Sequence, residues 1–215
     1  MKNRKTIFFI LFFLLFFAET MLLLCGCFKG KENVKEDTSD VSSLTWQVPD
    51  FTFINQNGKK VSLKEFKEGK KLWFASFIFT RCPNICPLIT HNMKKIKEAL
   101  KKENLMLETL TFSVDPEYDS PKILREFGEK HNVCFCKWHF LTGYPFSKIQ
   151  NFVTTGFKGV VYRQPSKAKD VTLINHPSQC YLVKGDKVIR FYDCVKPNIK
   201  KIVEDIKKIT KEERK

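Results

Sequence analysis

The chain has 215 residues, of which 43% are hydrophobic and 13% aromatic, so it is long and apolar enough for one folded domain with an appendage. This composition excludes a disordered acidic tail and a miniprotein held only by disulfides, and the length excludes two large domains. The formal net charge is +15. The lysines are scattered over predicted helices and the C-terminal tail, without a groove-binding or base-stacking motif. We therefore expect no nucleic-acid partner and a solvated basic face near anionic lipid.

The N-terminus has the pattern of an export signal. Three basic residues precede an apolar run over residues 6–24. The sequence Leu-Cys-Gly-Cys at residues 24–27 is similar to a bacterial lipobox, and Gly26 supplies the small residue before the lipidated cysteine, Cys27. The alternative is an uncleaved membrane helix, which an acidic residue within the run disfavours. We predict a signal peptide with lipobox over residues 1–26, and a product exported and membrane-anchored on the extracytoplasmic (periplasmic or outer) face.

The next segment, residues 27–48, is polar and poor in apolar side chains. It is predicted to be the lipidated N-terminus and a flexible linker, followed by one domain over residues 49–215. A flexible chain of this length typically spans about 25 Å. The domain could therefore reach partners embedded in the same membrane.

The domain alternates predicted strands and helices. A continuous apolar run at residues 71–79 predicts a central strand buried on both faces. The other predicted elements are a hairpin at 51–61, a helical turn at 62–66, a helix at 86–104, a strand at 105–114, a helix at 120–130, a strand at 137–141, a helix at 146–155, a hairpin at 180–192 and a helix at 197–210. This order indicates an α/β fold with a partly parallel, partly antiparallel central sheet flanked by helices.

Two of the cysteines form the most informative motif. Cys82 and Cys86 lie in Thr-Arg-Cys-Pro-Asn-Ile-Cys-Pro, between the predicted central strand and the following helix. A helix N-terminus offers free N–H groups and a positive dipole end, which stabilise thiolates. Two thiolates at this spacing suit a soft ion such as Cu(I), and they can also close into a disulfide. An inert structural bridge is the alternative.

Three ordered segments carry a resemblance to a known family. They are residues 77–87 (FIFTRCPNICP), residues 112–121 (FSVDPEYDSP) and residues 175–183 (NHPSQCYLV). Together they resemble the Sco/SenC family, the thioredoxin-fold, membrane-tethered copper proteins of cytochrome c oxidase assembly. The similarity extends from about residue 51 to residue 210 and implies a thioredoxin-like domain with an extra N-terminal hairpin.

The resemblance also implies a copper site formed by Cys82, Cys86 and His176. Two thiolates and an imidazole suit Cu(I), and the imidazole helps to hold Cu(II). The chain departs from the family pattern on both sides of the histidine, because Asn175 stands in place of an aspartate and Pro177 in place of serine or threonine. Asp115 matches the family's Ser-Val-Asp-Pro aspartate and is a candidate for an indirect role beside the metal, the alternative being a simple turn residue. His91, His131 and His139 are not expected to be ligands.

The remaining cysteines outside the leader lie outside the family motif. They are Cys134, Cys136, Cys180 and Cys194. We expect structural disulfides or buried thiols, with a bridge from the Cys134/Cys136 region to Cys180 or Cys194. Direct bridging of Cys134 to Cys136 is disfavoured, because Cys134-Phe135-Cys136 spaces the two thiols along an extended chain. A second metal or redox site is the alternative.

Two functions from different classes remain open. The first is a metallochaperone that delivers copper to the binuclear copper site of cytochrome c oxidase, with the copper-bearing subunit or its assembly factors as partners. The second is a thiol–disulfide oxidoreductase that uses Cys82 and Cys86 as a redox dithiol on the same target, without a copper-delivery role. A copper or redox sensor is a third possibility without an effector motif. His176 discriminates the first two, since a reductase needs no third soft-metal ligand.

Overall fold

A seven-stranded mixed sheet forms the centre of the domain in a computed structural model that describes residues 39–165 and 172–212. The predicted signal peptide over residues 1–26, the lipidation site Cys27 and the first part of the predicted linker lie outside the described residues. Within the described ranges, no helix combines the length and apolar character that crossing a bilayer requires.

The order of elements follows the predicted alternation. In chain order they are β1 (Thr52–Asn55), β2 (Lys60–Ser62), α1 (Lys64–Lys67), β3 (Leu72–Ile78), α2 (Ile85–Lys102), β4 (Glu108–Ser113), α3 (Pro121–Lys130), β5 (Trp138–Thr142), α4 (Phe146–Phe157), β6 (Tyr162–Gln164), β7 (Leu173–Asn175), β8 (Gln179–Lys184), β9 (Lys187–Asp193) and α5 (Ile199–Glu212).

The large sheet has the strand order β2-β1-β5-β4-β3-β8-β9. Strands β3, β4 and β5 are parallel to one another, and the pairings toward both edges are antiparallel. Strand β3 lies in the interior because nearly all of its side chains are apolar and buried, as expected of a strand covered on both faces. The prediction of an α/β fold with a central mixed sheet, flanking helices and an N-terminal hairpin is confirmed.

Helix α2 packs on the sheet through one apolar face. Ile89, Met93, Ile96 and Leu100 recur at spacings of three and four and are fully or almost fully buried. Their burial fixes the position of the helix, and with it the position of its N-terminus at the end of β3. The predicted helix and the observed one differ by only one or two residues at each end.

The end of the predicted linker belongs to the packed domain. Asp40 and Gln47 form β-bridges to strand β9, and Trp46 stacks on Phe191 with ring centroids 6.1 Å apart. Val48 is buried. The few apolar residues of this polar segment suffice to cover the edge strand β9, which would otherwise expose unpaired backbone groups. The packed part of the chain therefore begins before the predicted boundary at residue 49, at least as early as residue 39.

A small second sheet was not predicted. Strands β6 and β7 pair antiparallel, with Tyr162 opposite Asn175. Both are only three residues long, too short for a clear alternation of side chains. The sheet holds the chain immediately before His176 and so matters for the site.

Candidate metal and thiol site

Cys82 and Cys86 lie where β3 passes into α2. Cys82 follows the strand in a tight turn, and its N–H donates to the carbonyl oxygen of Phe79 at 3.2 Å. Cys86 is the second residue of α2 and Pro87 the third. A proline is tolerated there because the first N–H groups of a helix have no intrahelical partner. The remaining first-turn N–H groups point toward the cysteine loop.

The two cysteines differ sharply in their electrostatics. A hydrogen bond from Cys86 and backbone N–H groups of Cys86, Asn84 and Ile85 lower the pKa of Cys82 to about 5, although burial opposes the shift. Burial, followed by the neighbouring Cys82, raises the pKa of Cys86 far above its usual value. Cys82 is therefore a thiolate at neutral pH, and Cys86 is a thiol that donates to it.

His176 approaches the same point from the loop between β7 and β8. Its Nε2 lies 3.4 Å from Cys86 Sγ, and its Nδ1 lies 3.0 Å from the carbonyl oxygen of Pro177. A carbonyl oxygen only accepts, so Nδ1 carries the proton and the lone pair of Nε2 faces the sulfur. Burial lowers the pKa of His176, which keeps the ring neutral at neutral pH. The edge of Phe79 packs against the ring, with centroids 5.8 Å apart.

The structure thus brings all three predicted residues into one cluster. Cys86 contacts both of the others, through a hydrogen bond to Cys82 and through Nε2 of His176. Among the described residues, no three His, Cys, Asp or Glu side chains already stand as a complete metal-ligand set. The cluster is a close pair, Cys86 Sγ and His176 Nε2, with the sulfur of Cys82 beside it, and a metal would have to draw the three atoms around itself.

Asp115 reaches the cysteine loop through Arg81. The guanidinium of Arg81 binds one carboxylate oxygen of Asp115 through Nη2 at 2.6 Å and Nε at 3.0 Å, and it stacks on the ring of Tyr118 at 4.1 Å. Arg163 lies 3.8 Å from the other oxygen. Since Arg81 directly precedes Cys82, Asp115 fixes the backbone on which that sulfur is carried.

Asp119 is a site residue that the sequence analysis missed. Its carboxylate accepts from the N–H and hydroxyl of Thr80 and from the hydroxyl of Ser113 at 2.6 Å. It is completely buried, and burial raises its pKa to about 6. Asp119 ties the end of β4 to the start of the cysteine loop. Both Thr80 and Asp119 stand inside the quoted motifs, but nothing in their spacing shows that they meet.

The other histidines lie elsewhere. His91 is exposed on α2, and the ring of His131 packs on Phe127. His139 on β5 contacts the side chains of Asn55 and Glu108.

The expected disulfide pairing is wrong. Cys134 and Cys136 are bonded to each other, with Cα atoms 5.3 Å apart, whereas Cys180 and Cys194 are free and buried. The expectation assumed an extended chain between the first two cysteines. The chain instead bends at Phe135, so the two Cα atoms lie closer than the roughly 6.6 Å that two residues of an extended strand span, and within bridging range.

Comparisons with known proteins agree with this geometry. The model of the SCO1/SenC family matches residues 41–211. A curated relative, the SCO1 protein homolog of Bacillus subtilis (strain 168), is 40% identical over 175 residues, which cover 81% of this chain and 83% of that protein.

Solved structures share the fold. A SCO1/SenC family lipoprotein from Bacillus anthracis str. Ames is 32% identical with a TM-score of 0.70, covering 78% of this chain and 96% of that chain. BsSco is a member of the Sco family of cytochrome c oxidase assembly proteins in which a disulfide switch was identified. It is 41% identical with a TM-score of 0.67, covering 76% of this chain and 93% of that chain. Yeast Sco1 with copper bound is 26% identical with a TM-score of 0.60, covering 75% and 88%. These matches confirm the predicted thioredoxin-like fold of the family.

Proposed function

The chain belongs to the SCO1/SenC family, and we propose that it is an exported, membrane-tethered protein that binds copper through Cys82, Cys86 and His176. It would deliver that copper to the binuclear copper site of cytochrome c oxidase, with the copper-bearing subunit or its assembly factors as partners. Lipid attached to Cys27 would hold it to the membrane on the extracytoplasmic face. Copper is the cargo of this protein.

One observation carries the copper assignment, namely the approach of His176 Nε2 to Cys86 Sγ at 3.4 Å. Two ligands bound tetrahedrally to one ion, with bonds of about 2.3 Å to sulfur and about 2.0 Å to nitrogen as for zinc, lie about 3.5 Å apart. The hydrogen bond from Nδ1 to Pro177 leaves the Nε2 lone pair free. Metal-binding histidines commonly have their other ring N–H fixed in this way.

The donor set suits a transferable soft ion. Cys82 provides a thiolate at neutral pH, and copper would displace the proton of Cys86, which burial otherwise holds in place. Transfer would then proceed by ligand exchange, with incoming ligands replacing the three donors one at a time. The similarity to yeast Sco1 with copper bound supports the proposal that this chain binds copper. The similarity to the Bacillus anthracis lipoprotein supports the proposed lipid anchor.

A second candidate function is thiol–disulfide exchange on the oxidase subunit. The low pKa of Cys82 favours it, because the thiolate is the attacking species. Cys82 would attack a target disulfide and form a mixed disulfide, which Cys86 would resolve after losing its proton. The target leaves as a dithiol, and Cys82 and Cys86 leave as a disulfide.

Replacing His176→Ala separates the two functions. We expect at least a tenfold weaker affinity for Cu(I) and a larger loss for Cu(II), because one of three donors is removed. The rate of disulfide exchange with a model peptide disulfide should change less than threefold. The matched control is His91→Ala, which removes an exposed histidine from α2.

The copper assignment is contradicted if His176→Ala binds both copper ions as tightly as the wild type. The chaperone function itself is tested by oxidase activity in cells that carry only the variant. If cells with His176→Ala still assemble active oxidase but cells with Cys82→Ser do not, the result would favour the reductase role.

A further inference from the structure

The Cys134–Cys136 disulfide stands apart from the site described above. It lies in the connection between α3 and β5, and both cysteines are exposed. Between them, the ring of Phe135 packs over Gly128, where an added Cβ would come within 2.6 Å of it. The same ring contacts Phe140, with centroids 6.2 Å apart. Phe135 therefore anchors the loop in the core, while the bridge faces solvent.

The bridge contributes little as a structural cross-link. The stabilisation from a disulfide grows with the logarithm of the loop it closes, and a separation of two residues closes almost the shortest loop. Other contacts already hold the segment. Val133 N–H donates to the Gly128 carbonyl oxygen at 2.9 Å, and Lys97 Nζ donates to the Lys137 carbonyl oxygen at 3.0 Å. Stapling does not account for a disulfide here.

The surroundings favour thiol exchange. The bridge lines a surface cavity of about 300 Å³. Four lysines also line this cavity, namely Lys94, Lys97, Lys101 and Lys137, and its acidic lining residue is Glu98. Neighbouring cations stabilise a departing thiolate and so make it a better leaving group. Exposed disulfides are the ones that partner thiols can attack.

The rest of the cavity is apolar. Leu105, Met106, Leu107 and Trp138 form its wall, and Met106 is 55% exposed. An apolar wall beside a cluster of cations complements a segment that carries apolar and acidic side chains. The cavity has room for one or two side chains at most, so the chemistry points to an extended segment that crosses it next to the bridge.

We propose that Cys134–Cys136 is a second thiol–disulfide exchange site, which oxidises a dithiol carried on an acidic and apolar segment of a partner protein. A substrate thiolate attacks one sulfur of the bridge and forms a mixed disulfide, and the other cysteine leaves as a thiolate and takes up a proton. The second substrate thiol then loses its proton and attacks the mixed disulfide. The substrate leaves as a disulfide, and both electrons remain on Cys134 and Cys136 as two thiols.

This site acts independently of Cys82 and Cys86. Those cysteines lie at the N-terminal end of α2, whereas the cavity is lined by the C-terminal half of the helix from Lys94 to Lys101. At 1.5 Å per residue, the lining residues Lys94 and Lys101 lie about 12 Å and about 22 Å from Cys86 along the helix axis, too far for direct exchange between sulfurs. The two pairs therefore exchange electrons only through a separate molecule, and the proposal does not rest on the copper function.

The test uses the full chain in detergent with Cys82→Ser and Cys86→Ser, which leaves the second bridge as the reactive disulfide. The probes are two reduced peptides with cysteines spaced two residues apart, one with flanking leucine and glutamate and the other with leucine and lysine. Maleimide labelling of the native protein, measured by mass spectrometry, reports the thiols formed. Adding Cys134→Ser and Cys136→Ser gives the control, in which we expect no label on Cys180 or Cys194 because both are buried, and the peptide masses separate any label on Cys25 or Cys27.

We expect the acidic peptide to reduce the bridge at least tenfold faster than the basic one, with the folded circular-dichroism spectrum retained. The double substitution Lys94→Ala and Lys101→Ala should reduce the ratio of the two reduction rates at least threefold. The proposal is overturned if neither peptide reduces the bridge or if both react at the same rate. It is also overturned if reduction unfolds the domain, since the disulfide would then be a structural cross-link.

Discussion

Two cysteine pairs contact helix α2, and their surroundings give them opposite properties. Cys82 and Cys86 lie at the helix N-terminus, where backbone N–H groups lower the pKa of Cys82 to about 5. Cys180 and Cys194 lie beneath the same helix, with Cys194 Sγ 3.9 Å from the carbonyl oxygen of Ile89. The neighbouring Cys194 and burial raise the pKa of Cys180.

The difference lies in the groups that face the sulfur. A helix start presents unpaired donors to a thiolate, whereas the side of a helix and a paired strand present carbonyl oxygens and apolar side chains. A cysteine is thus reactive at the N-terminus of α2 and unreactive beneath the side of the same helix. Proximity of two thiols alone does not make a redox or metal site.

The largest expected contrast is in alkylation of the reduced, metal-free protein. At pH 7 Cys82 should react with iodoacetamide at least 100-fold faster than Cys180 or Cys194, because Cys82 is a thiolate that remains 8% exposed, whereas the other two are completely buried. Since its pKa is lowered to about 5, the rate should be flat above pH 6 and fall through pH 5 as the thiolate is protonated. Peptide-resolved mass spectrometry measures each site. Equal alkylation rates at the three cysteines would contradict the expected difference in reactivity between the two pairs.

Asp119 tests whether the cysteine loop depends on its buried support. Asp119→Ala should cost about 2 kcal/mol of unfolding free energy, because it leaves Thr80 and Ser113 without their acceptor. Burial raises the pKa of Asp119 to about 6, so its protonated form is favoured more in the folded state than in the unfolded state. Its contribution to stability should therefore decline as pH rises from about 4 to 6.

Urea unfolding of the wild type and Asp119→Asn between pH 4 and 7 measures this decline. The amide does not titrate, so the difference in stability between the two proteins should change over that range. A constant difference would show that Asp119 does not titrate as its burial requires.

The smallest effect is expected at the buried pair. Cys180→Ala and Cys194→Ala each remove one buried sulfur and should cost about 1 kcal/mol of unfolding free energy, with copper affinity unchanged. Cys82→Ala should do the reverse, with little loss of stability and a loss of copper binding. Isothermal calorimetry and urea unfolding give the two quantities. Weaker copper binding by Cys180→Ala would show that the pair Cys180 and Cys194 is coupled to the copper site.

Much of the fold and part of the site could be predicted from the sequence. The apolar run of β3 and the periodic face of α2 are long and regular, so they place Cys82 and Cys86 at a strand-to-helix junction. His176 followed only from the family resemblance, since nothing local pairs it with residues 90 positions away. The contact depends on the sheet topology, which brings β8 beside β3.

The errors have physical causes. The prediction against a Cys134–Cys136 bridge assumes an extended segment, whereas a bend at the one residue between the cysteines brings their Cα atoms within bridging range. Asp119 lies in a polar turn, where the sequence does not show whether a carboxylate is solvated or buried. The segment before residue 49 is polar on average, yet a few apolar side chains such as Val48 decide that it packs.

The proposed copper site holds one ion through both sulfurs of the helix N-terminus and one imidazole. X-ray absorption of the Cu(I)-loaded full chain, compared with the His176→Ala variant, tests it most directly. We expect two sulfurs and one nitrogen around the copper, with the nitrogen lost and both sulfurs retained in the variant. Identical spectra for the two proteins would contradict it.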